Sequence, residues 1–210
     1  MTEFNTPFST VGYITYKRTY ARRLNEADPA SPTEEFEDTV NRVVAASNNQ
    51  LNCGFTEAEQ KRLQKYLMEL KGTVAGRFLW QLGTDTVGRL GLASLQNCAF
   101  TVVDQPVRPF TWAMDLLMLG SGVGYNIQRE HVAKLPPVNV NFSAPTRVDS
   151  SDADFIVPDS REGWVEAISC LIDSYMDEGS APVQMDTSEV RAYGEPIVGF
   201  GGVASGPEPL

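Results

Sequence analysis

The residue of this sequence best placed to do chemistry is Cys98, in the segment LGLASLQNCAF (residues 90–100). It opens the stretch CAFTVVD, in which Cys98, Phe100 and Val102 alternate as residues on one face of a β-strand do. A cysteine there is either a small buried apolar side chain or a reactive thiol, and a reactive thiol needs a base, a cation or a redox partner nearby. The residue types alone leave both interpretations open.

Other nucleophiles and metal ligands are sparse. Cys53 and Cys170 lie far from Cys98 along the chain, and no CxxC pair occurs. This spacing argues against a disulfide framework and a zinc site, and it is typical of a reducing compartment. His131 is the single histidine, which excludes a histidine metal cluster and is too little to indicate a nucleophilic triad. We therefore predict no metal site formed by these residues and a structural role for Cys53 and Cys170.

A glycine-rich segment, LGSGVGYN (residues 119–126), lies between a predicted helix and a predicted strand. The dinucleotide-binding fingerprint requires its glycines between a strand and the helix that follows, so the order here argues against a Rossmann site. The segment is either a tight turn or a place where bare backbone approaches a nucleotide sugar or phosphate.

Charge is distributed unevenly along the 210 residues. The net charge is −10, and residues 149–195 alone hold 12 acidic and two basic side chains. We expect no binding to duplex nucleic acid, because this region would repel phosphates. The basic cluster YKRTYARR (residues 16–23) is either a solvated face or a site for a phosphate-bearing ligand. No apolar run approaches the roughly 20 residues of a membrane span, and the N-terminus carries no secretory signal, so we expect no membrane partner and a cytoplasmic protein.

The elements that would position Cys98 and the glycines follow from the hydrophobic periodicity. Helices are predicted after Ser31 and after Thr56, each with a capping box, and an extended stretch is predicted at VGYITYKR. The order strand, helix, strand across residues 98–128 predicts a parallel βαβ unit. Residues 134–154 are predicted to be a long loop, followed by a helix capped by Asp159. The predicted fold class is α/β.

Six blocks of the sequence together resemble a known family. The blocks are YITYKRTYARRL, GRFLWQLGTDTV, LGLASLQNCAF, RPFTWAMDLLMLGSGVGYNIQREHV, FIVPDSREGWV and GFGGVASGPEPL. Together they resemble the N-terminal part of the adenosylcobalamin-dependent (class II) ribonucleotide reductases, most of all the monomeric ribonucleoside-triphosphate reductase type. The resemblance implies an N-terminal helical region over residues 1–75. It also implies that residues 76–210 form the first, incomplete part of a ten-stranded α/β barrel with substrate and effector loops.

The resemblance also implies site residues. Cys98 matches the first cysteine of the redox-active pair that reduces the ribose. Thr84, Asn97, Cys98 and Gly122 match the wall that binds the substrate. The residues that match the two effector regions are Asp104, Gln128, Arg129, Asp159, Ser160 and Arg161. Arginine suits the triphosphate of such an effector because its guanidinium forms forked hydrogen bonds to phosphate oxygens.

The implied reaction needs components that these 210 residues do not match. They are the radical-bearing cysteine, the second redox cysteine, the cobalamin-binding region and the C-terminal cysteine pair. We therefore expect adenosylcobalamin to bind to a missing C-terminal part and expect this chain to be inactive without that complementary polypeptide. Expected ligands and partners are a ribonucleoside triphosphate, a deoxynucleoside triphosphate effector and a dithiol reductant such as thioredoxin, in a bacterial or phage-infected cytoplasm. The alternatives are a non-catalytic fragment that binds the effector, or an inert truncated relic.

Overall fold

The chain divides into two compact units, Met1–Gln96 and Asn97–Leu210. The computed structural model describes residues 7–25, 28, 30–139, 141, 144–176, 184–197 and 202–210. The domain boundary predicted between residues 75 and 76 lies inside the first unit, at the start of a short helix, and stays a prediction. Within the described part of the chain, no helix has both the length and the apolar character needed to cross a bilayer.

The described part of the first unit is helical. Its elements are α1 (Thr10–Thr19), α2 (Phe36–Asn49), α3 (Glu57–Met68), α4 (Gly76–Gln81), α5 (Asp85–Leu90) and a 3-10 helix (Leu92–Leu95). The capping box predicted for α3 is present, because the Thr56 hydroxyl accepts from the Glu59 amide and the Glu59 carboxylate accepts from the Thr56 amide.

The extended stretch predicted at VGYITYKR is wrong, since these residues form most of α1. The Ser9 hydroxyl accepts a hydrogen bond from the Gly12 amide at 3.3 Å and begins the helix. Tyr16, only 3% exposed, joins a core cluster with Phe36 and Val40 of α2. Tertiary packing of this one aromatic face therefore outweighs the β-propensity of the local sequence.

The predicted start of α2 is also wrong. Glu35, not Ser31, precedes the first helical residue, and Glu35 and Asp38 form the capping box. The Ser31 hydroxyl accepts instead from the amide of Asn25, which closes a local loop. A second capping pair nearer to the hydrophobic stripe thus defines the helix start.

Arg42 of α2 forms a buried ion pair with Glu34, the residue two positions before α2, and also binds the backbone of α4 and of the residue after it. Arg42 Nε lies 2.6 Å from Glu34 Oε1, and Glu34 is only 5% exposed. The Arg42 guanidinium also donates to the carbonyls of Leu79 and Leu82. Burial by itself would raise the pKa of Glu34, but the hydrogen bonds and charge of Arg42 and the Thr39 hydroxyl outweigh it and lower that pKa.

The second unit contains two small parallel sheets and three helices in its described residues. Its elements are β1 (Cys98–Val102), α6 (Arg108–Met118), β2 (Gly122–Asn126), α7 (Arg129–Val132), β3 (Thr146–Val148), β4 (Phe155–Ile156), α8 (Arg161–Met176) and β5 (Gln184–Asp186). Strands β1 and β2 pair in parallel through the connecting helix α6, which confirms the predicted βαβ unit. The second sheet has the order β3–β5–β4. The α/β class is confirmed, whereas the described strands form no closed barrel.

The region between β2 and α8 is not the unbroken loop predicted for residues 134–154, because it contains β3. Strand β3 pairs with β5, a partner distant in sequence, so local composition gave no sign of it. Helix α8 packs against α6, and Arg161 Nη1 lies 2.9 Å from Asp115 Oδ1 across that contact. At Gly163 a Cβ would lie 2.5 Å from the carbonyl oxygen of Pro158, so only glycine fits there.

Candidate functional site

Cys98 is exposed at the amino end of β1. The interpretation of this cysteine as a buried apolar side chain is therefore wrong for the structure. Its partner in the strand register is Gly122, and the Gly122 amide donates to the carbonyl of Asn97 at 2.8 Å. The structure thus brings together three of the four predicted substrate residues, Asn97, Cys98 and Gly122.

The two faces of the β1–β2 pair are different. Helix α6 covers the face that bears Tyr125, whose ring centroid lies 5.9 Å from that of Phe110. The opposite face carries Cys98 and Phe100. Phe100 is 64% exposed. Cys98 is therefore on the face that α6 leaves uncovered.

Thr84, the fourth predicted substrate residue, belongs to the first unit. It precedes α5, is 7% exposed, and donates its hydroxyl proton to the carbonyl of Gln81 at 2.8 Å. The amide of the preceding Gly83 donates to Gln50 Oε1 at 2.9 Å. Because its proton is already used, the hydroxyl of Thr84 can accept a hydrogen bond from a ligand but cannot donate one.

The six predicted effector residues fall into two groups. Asp104 and Gln128 each follow the carboxyl end of a strand by two residues, at one edge of the β1–β2 pair, and Arg129 begins α7. The Gln128 amide donates to Asn126 Oδ1 at 3.0 Å, and Lys134 Nζ lies 4.0 Å from Asp104 Oδ2. Parallel strands often place ligand-binding residues at this edge.

The second group lines a cavity of about 360 Å³ in the second unit. Asp159 Oδ2 accepts from Arg191 Nε at 2.7 Å, and the Arg161 guanidinium binds Glu162 as well as Asp115. The side chain of Asp159 therefore faces Arg191. The predicted capping by Asp159 is wrong: Ser160 directly precedes α8, and its hydroxyl accepts from the Gly163 amide at 3.0 Å.

Arg191 is a cavity residue that the sequence analysis missed. It lies 32 positions after Asp159 and outside the sequence blocks that carry the resemblance, so only the fold reveals the pair. The rest of the wall combines apolar and small residues from four described segments, namely Met118, Trp164, Val190, Ile197, Ala204, Ser205 and Gly206. This combination suits a ligand with a planar apolar part and an anionic part.

Two family models match the chain. The model for the ribonucleotide reductase alpha domain matches residues 1–84. The model described as B12-dependent ribonucleotide reductase, insertion domain, matches residues 139–210 and so includes the cavity with Asp159 and Arg191.

Curated relatives agree with these matches. The adenosylcobalamin-dependent ribonucleoside-triphosphate reductase of Lactobacillus leichmannii is 34% identical over 257 residues, covering 95% of this chain and 34% of the relative. The probable enzyme of the same description from Dictyostelium discoideum is also 34% identical, over 97% of this chain and 29% of the relative. The chain therefore spans about a third of the length of these relatives.

A solved structure is similar over almost the whole chain. A crystal structure of a B12-dependent (class II) ribonucleotide reductase superposes with a TM-score of 0.78 and 30% sequence identity, covering 97% of this chain and 36% of that one. Sequence and fold thus indicate the same family over almost the whole chain. The chain belongs to the adenosylcobalamin-dependent (class II) ribonucleotide reductase family and corresponds to the N-terminal part of those enzymes.

Proposed function

We propose that this chain is the N-terminal portion of an adenosylcobalamin-dependent ribonucleoside-triphosphate reductase and has no reductase activity without the remaining portion. In this proposal it contributes the first redox cysteine, Cys98, and part of the substrate wall. The observation that supports this most directly is the exposed thiol of Cys98 opposite Gly122, on a strand face left open by α6. A rigid strand holds such a thiol in one place, as a reaction at a bound sugar requires.

The proposed chemistry is a two-electron thiol oxidation. The C2′–O bond of the ribose breaks, the hydroxyl group leaves as water, and C2′ receives a hydrogen. Cys98 and a second cysteine of the complementary portion lose two electrons and two protons and become a disulfide. A dithiol reductant such as thioredoxin then reduces that disulfide by thiol–disulfide exchange.

Adenosylcobalamin carries its cobalt inside the corrin ring, so a site for it needs an enclosing surface rather than a set of protein metal ligands. The strand face with Cys98 is exposed and does not by itself enclose so large a group. We therefore place the cobalamin-binding region on the remaining portion of the enzyme.

A deoxynucleoside triphosphate effector is the proposed ligand of the cavity beside α8. Asp159, Ser160 and Arg161 line it, and Arg191 adds a second guanidinium. Both arginines bind carboxylates in the absence of ligand, so triphosphate oxygens would compete with Asp159 and Asp115 for them. Asp104, Gln128 and Arg129 are proposed to contact the same class of effector from the edge of the other sheet.

The decisive experiment is Cys98→Ser in the chain combined with its complementary portion. We expect turnover with a dithiol reductant, adenosylcobalamin and a ribonucleoside triphosphate to disappear. Cys53→Ser is the matched control, because Cys53 is also exposed but lies in the first unit, and it should leave turnover unchanged. Normal multiple turnover of Cys98→Ser would overturn the assignment, and turnover by the 210 residues alone would overturn the need for a complement.

A second candidate function is non-catalytic binding of the effector. It is favoured by one observation: the residues that line the cavity with Asp159 all belong to the second unit, so this site needs nothing from the first. Equilibrium dialysis of the chain alone against each of the four common deoxynucleoside triphosphates tests it. Binding without any activity after addition of the complement would favour this function over the reductase.

A further inference from the structure

Phe100 is a large aromatic side chain that is 64% exposed, on the same strand face as Cys98. The two residues are separated by one position of β1, so their side chains leave this face about 7 Å apart. Whatever occupies the space over the Cys98 thiol therefore also borders the ring of Phe100.

The neighbouring strand β2 has glycines, without side chains, opposite Cys98 and Phe100. A Cβ at Gly124 would lie 3.2 Å from Phe100 Cδ2, which shows that the ring extends over Gly124. A Cβ at Gly122 would meet nothing nearer than the Asn97 carbonyl at 3.8 Å. The space over Gly122, next to Cys98, is therefore open within the chain, and the ring of Phe100 forms its wall.

The composition of this face suits a ligand better than a packed protein surface. Of the six residues on this face, Phe100 and Val102 are types common on packed strand faces, whereas Gly122, Gly124 and Asn126 are types depleted there. Glycine inside a strand often marks close approach by a ligand or another backbone. The strand residues of this face include no Lys or Arg, and the exposed ring of Phe100 offers a planar nucleobase an aromatic surface. Arg108, at the start of α6, lines a shallow pocket together with Phe100 and offers a phosphate a cation there.

We propose that Phe100 is a substrate-binding residue whose ring stacks on the nucleobase when the ribose lies over Cys98. This inference rests on the proposed reductase function, because it takes the ribose to lie at the Cys98 thiol. Stacking of this kind accepts every base, since each has a π-face. Phe100 therefore contributes affinity that is shared by all the substrates.

The test is Phe100→Leu, with Phe100→Ala beside it, in the chain combined with its complementary portion. Leucine keeps the apolar character but removes the π-face. We expect the KM for adenosine triphosphate and for cytidine triphosphate to rise about tenfold with Phe100→Leu. The kcat should change less than about threefold, because uniform binding is lost. Phe110→Leu is the control, since Phe110 lies on α6 over the opposite face, and its KM should stay at the wild-type value.

Three results would overturn the inference. They are a wild-type KM with Phe100→Leu, a lower kcat at unchanged KM, and an equal rise in KM with Phe110→Leu. If the wild-type assembly shows no turnover, the reductase proposal fails by itself. Equilibrium dialysis with adenosine triphosphate then decides the role of Phe100, because an equal Kd for wild type and Phe100→Leu would contradict stacking.

Discussion

The two units use their polar residues in opposite ways. In the first, the charged side chains of Glu34 and Arg42 turn inward, and their hydrogen bonds end on the protein's own backbone and side chains. In the second, the Cys98 thiol is exposed on the strand face that α6 leaves uncovered, and Asp159 and Arg191 line an open cavity. The ion pair of the first unit is thus satisfied inside the protein, whereas these polar groups of the second unit remain accessible from solvent. Removing an inward group should therefore cost stability, and removing an outward group should cost binding.

The strongest test of this contrast is Arg42→Met. It leaves the Glu34 carboxylate buried without its partner, which should destabilise the first unit by about 3–5 kcal/mol. Hydrogen exchange resolved along the chain measures this, with faster exchange expected in α2 and α4 and unchanged exchange in β1 and β2.

The control for Arg42→Met is the double variant Glu34→Leu with Arg42→Met, which removes both charges and should recover part of the loss. Lys71→Met, at the exposed pair with Glu69, should hardly change the stability, because solvent screens that pair. An equally small effect of Arg42→Met would mean that the pair of Glu34 and Arg42 does not stabilise the first unit.

A steric change in the second unit gives the next largest effect. Gly163→Ala places a Cβ 2.5 Å from the Pro158 carbonyl oxygen, and such overpacking should cost about 1–3 kcal/mol. The matched substitution Gly88→Ala, in α5, meets nothing within 4 Å and should stabilise by about 0.4–1 kcal/mol. Urea unfolding of both variants measures the difference, and equal midpoints would contradict the close contact.

An outward group should affect binding more than stability. Arg191→Gln removes the guanidinium beside Asp159, and we expect a Kd about tenfold higher for the tightest-binding deoxynucleoside triphosphate. Its unfolding midpoint should hardly move, since partly exposed pairs contribute little. Arg147→Gln is the control, because Arg147 pairs with Glu208 and does not line that cavity. A Kd raised equally by both variants would indicate only a general charge effect.

The smallest effect concerns pH. The pKa of Glu34 is lower in the folded chain than its usual value of 4.5, so the unfolded state binds the proton more readily. Its contribution to stability is therefore complete above pH 4.5 and is lost as the pH falls through the lowered pKa. Glu34→Gln should flatten the acid side of the stability curve by at most about 1.4 kcal/mol per pH unit. Parallel curves for wild type and variant would contradict this sign.

Local sequence patterns predicted a helix or strand correctly where tertiary packing favours the same conformation as the local sequence. The alternation from Cys98 to Val102 and the capping box from Thr56 to Glu59 both specify their element within a few residues. The failures have a common cause. Helix α1 depends on the burial of Tyr16 in another helix's core, and β3 depends on a partner that comes much later in the chain.

The candidate site shows the same division. The positions of Cys98 and Gly122 followed from strand patterns and family motifs, and the register places them opposite each other. Arg191 could not be predicted, because its pairing with Asp159 joins two segments with no common motif. Thr84 shows a further gap, since a motif match gave no sign that its hydroxyl donates within the chain.

The pairing of Cys98 with Gly122 depends on the length of the short connection between α6 and β2. Side chains alternate along β2, so a slip of one residue would bring Val123 and Tyr125 to the face that now carries Gly122 and Gly124. The thiol would then lie beside bulky side chains, although no residue of the site had been substituted. Deleting a single residue between α6 and β2 would therefore be expected to crowd the Cys98 thiol if β2 shifts by one position. The open space beside that sulfur depends partly on the number of residues in the turn.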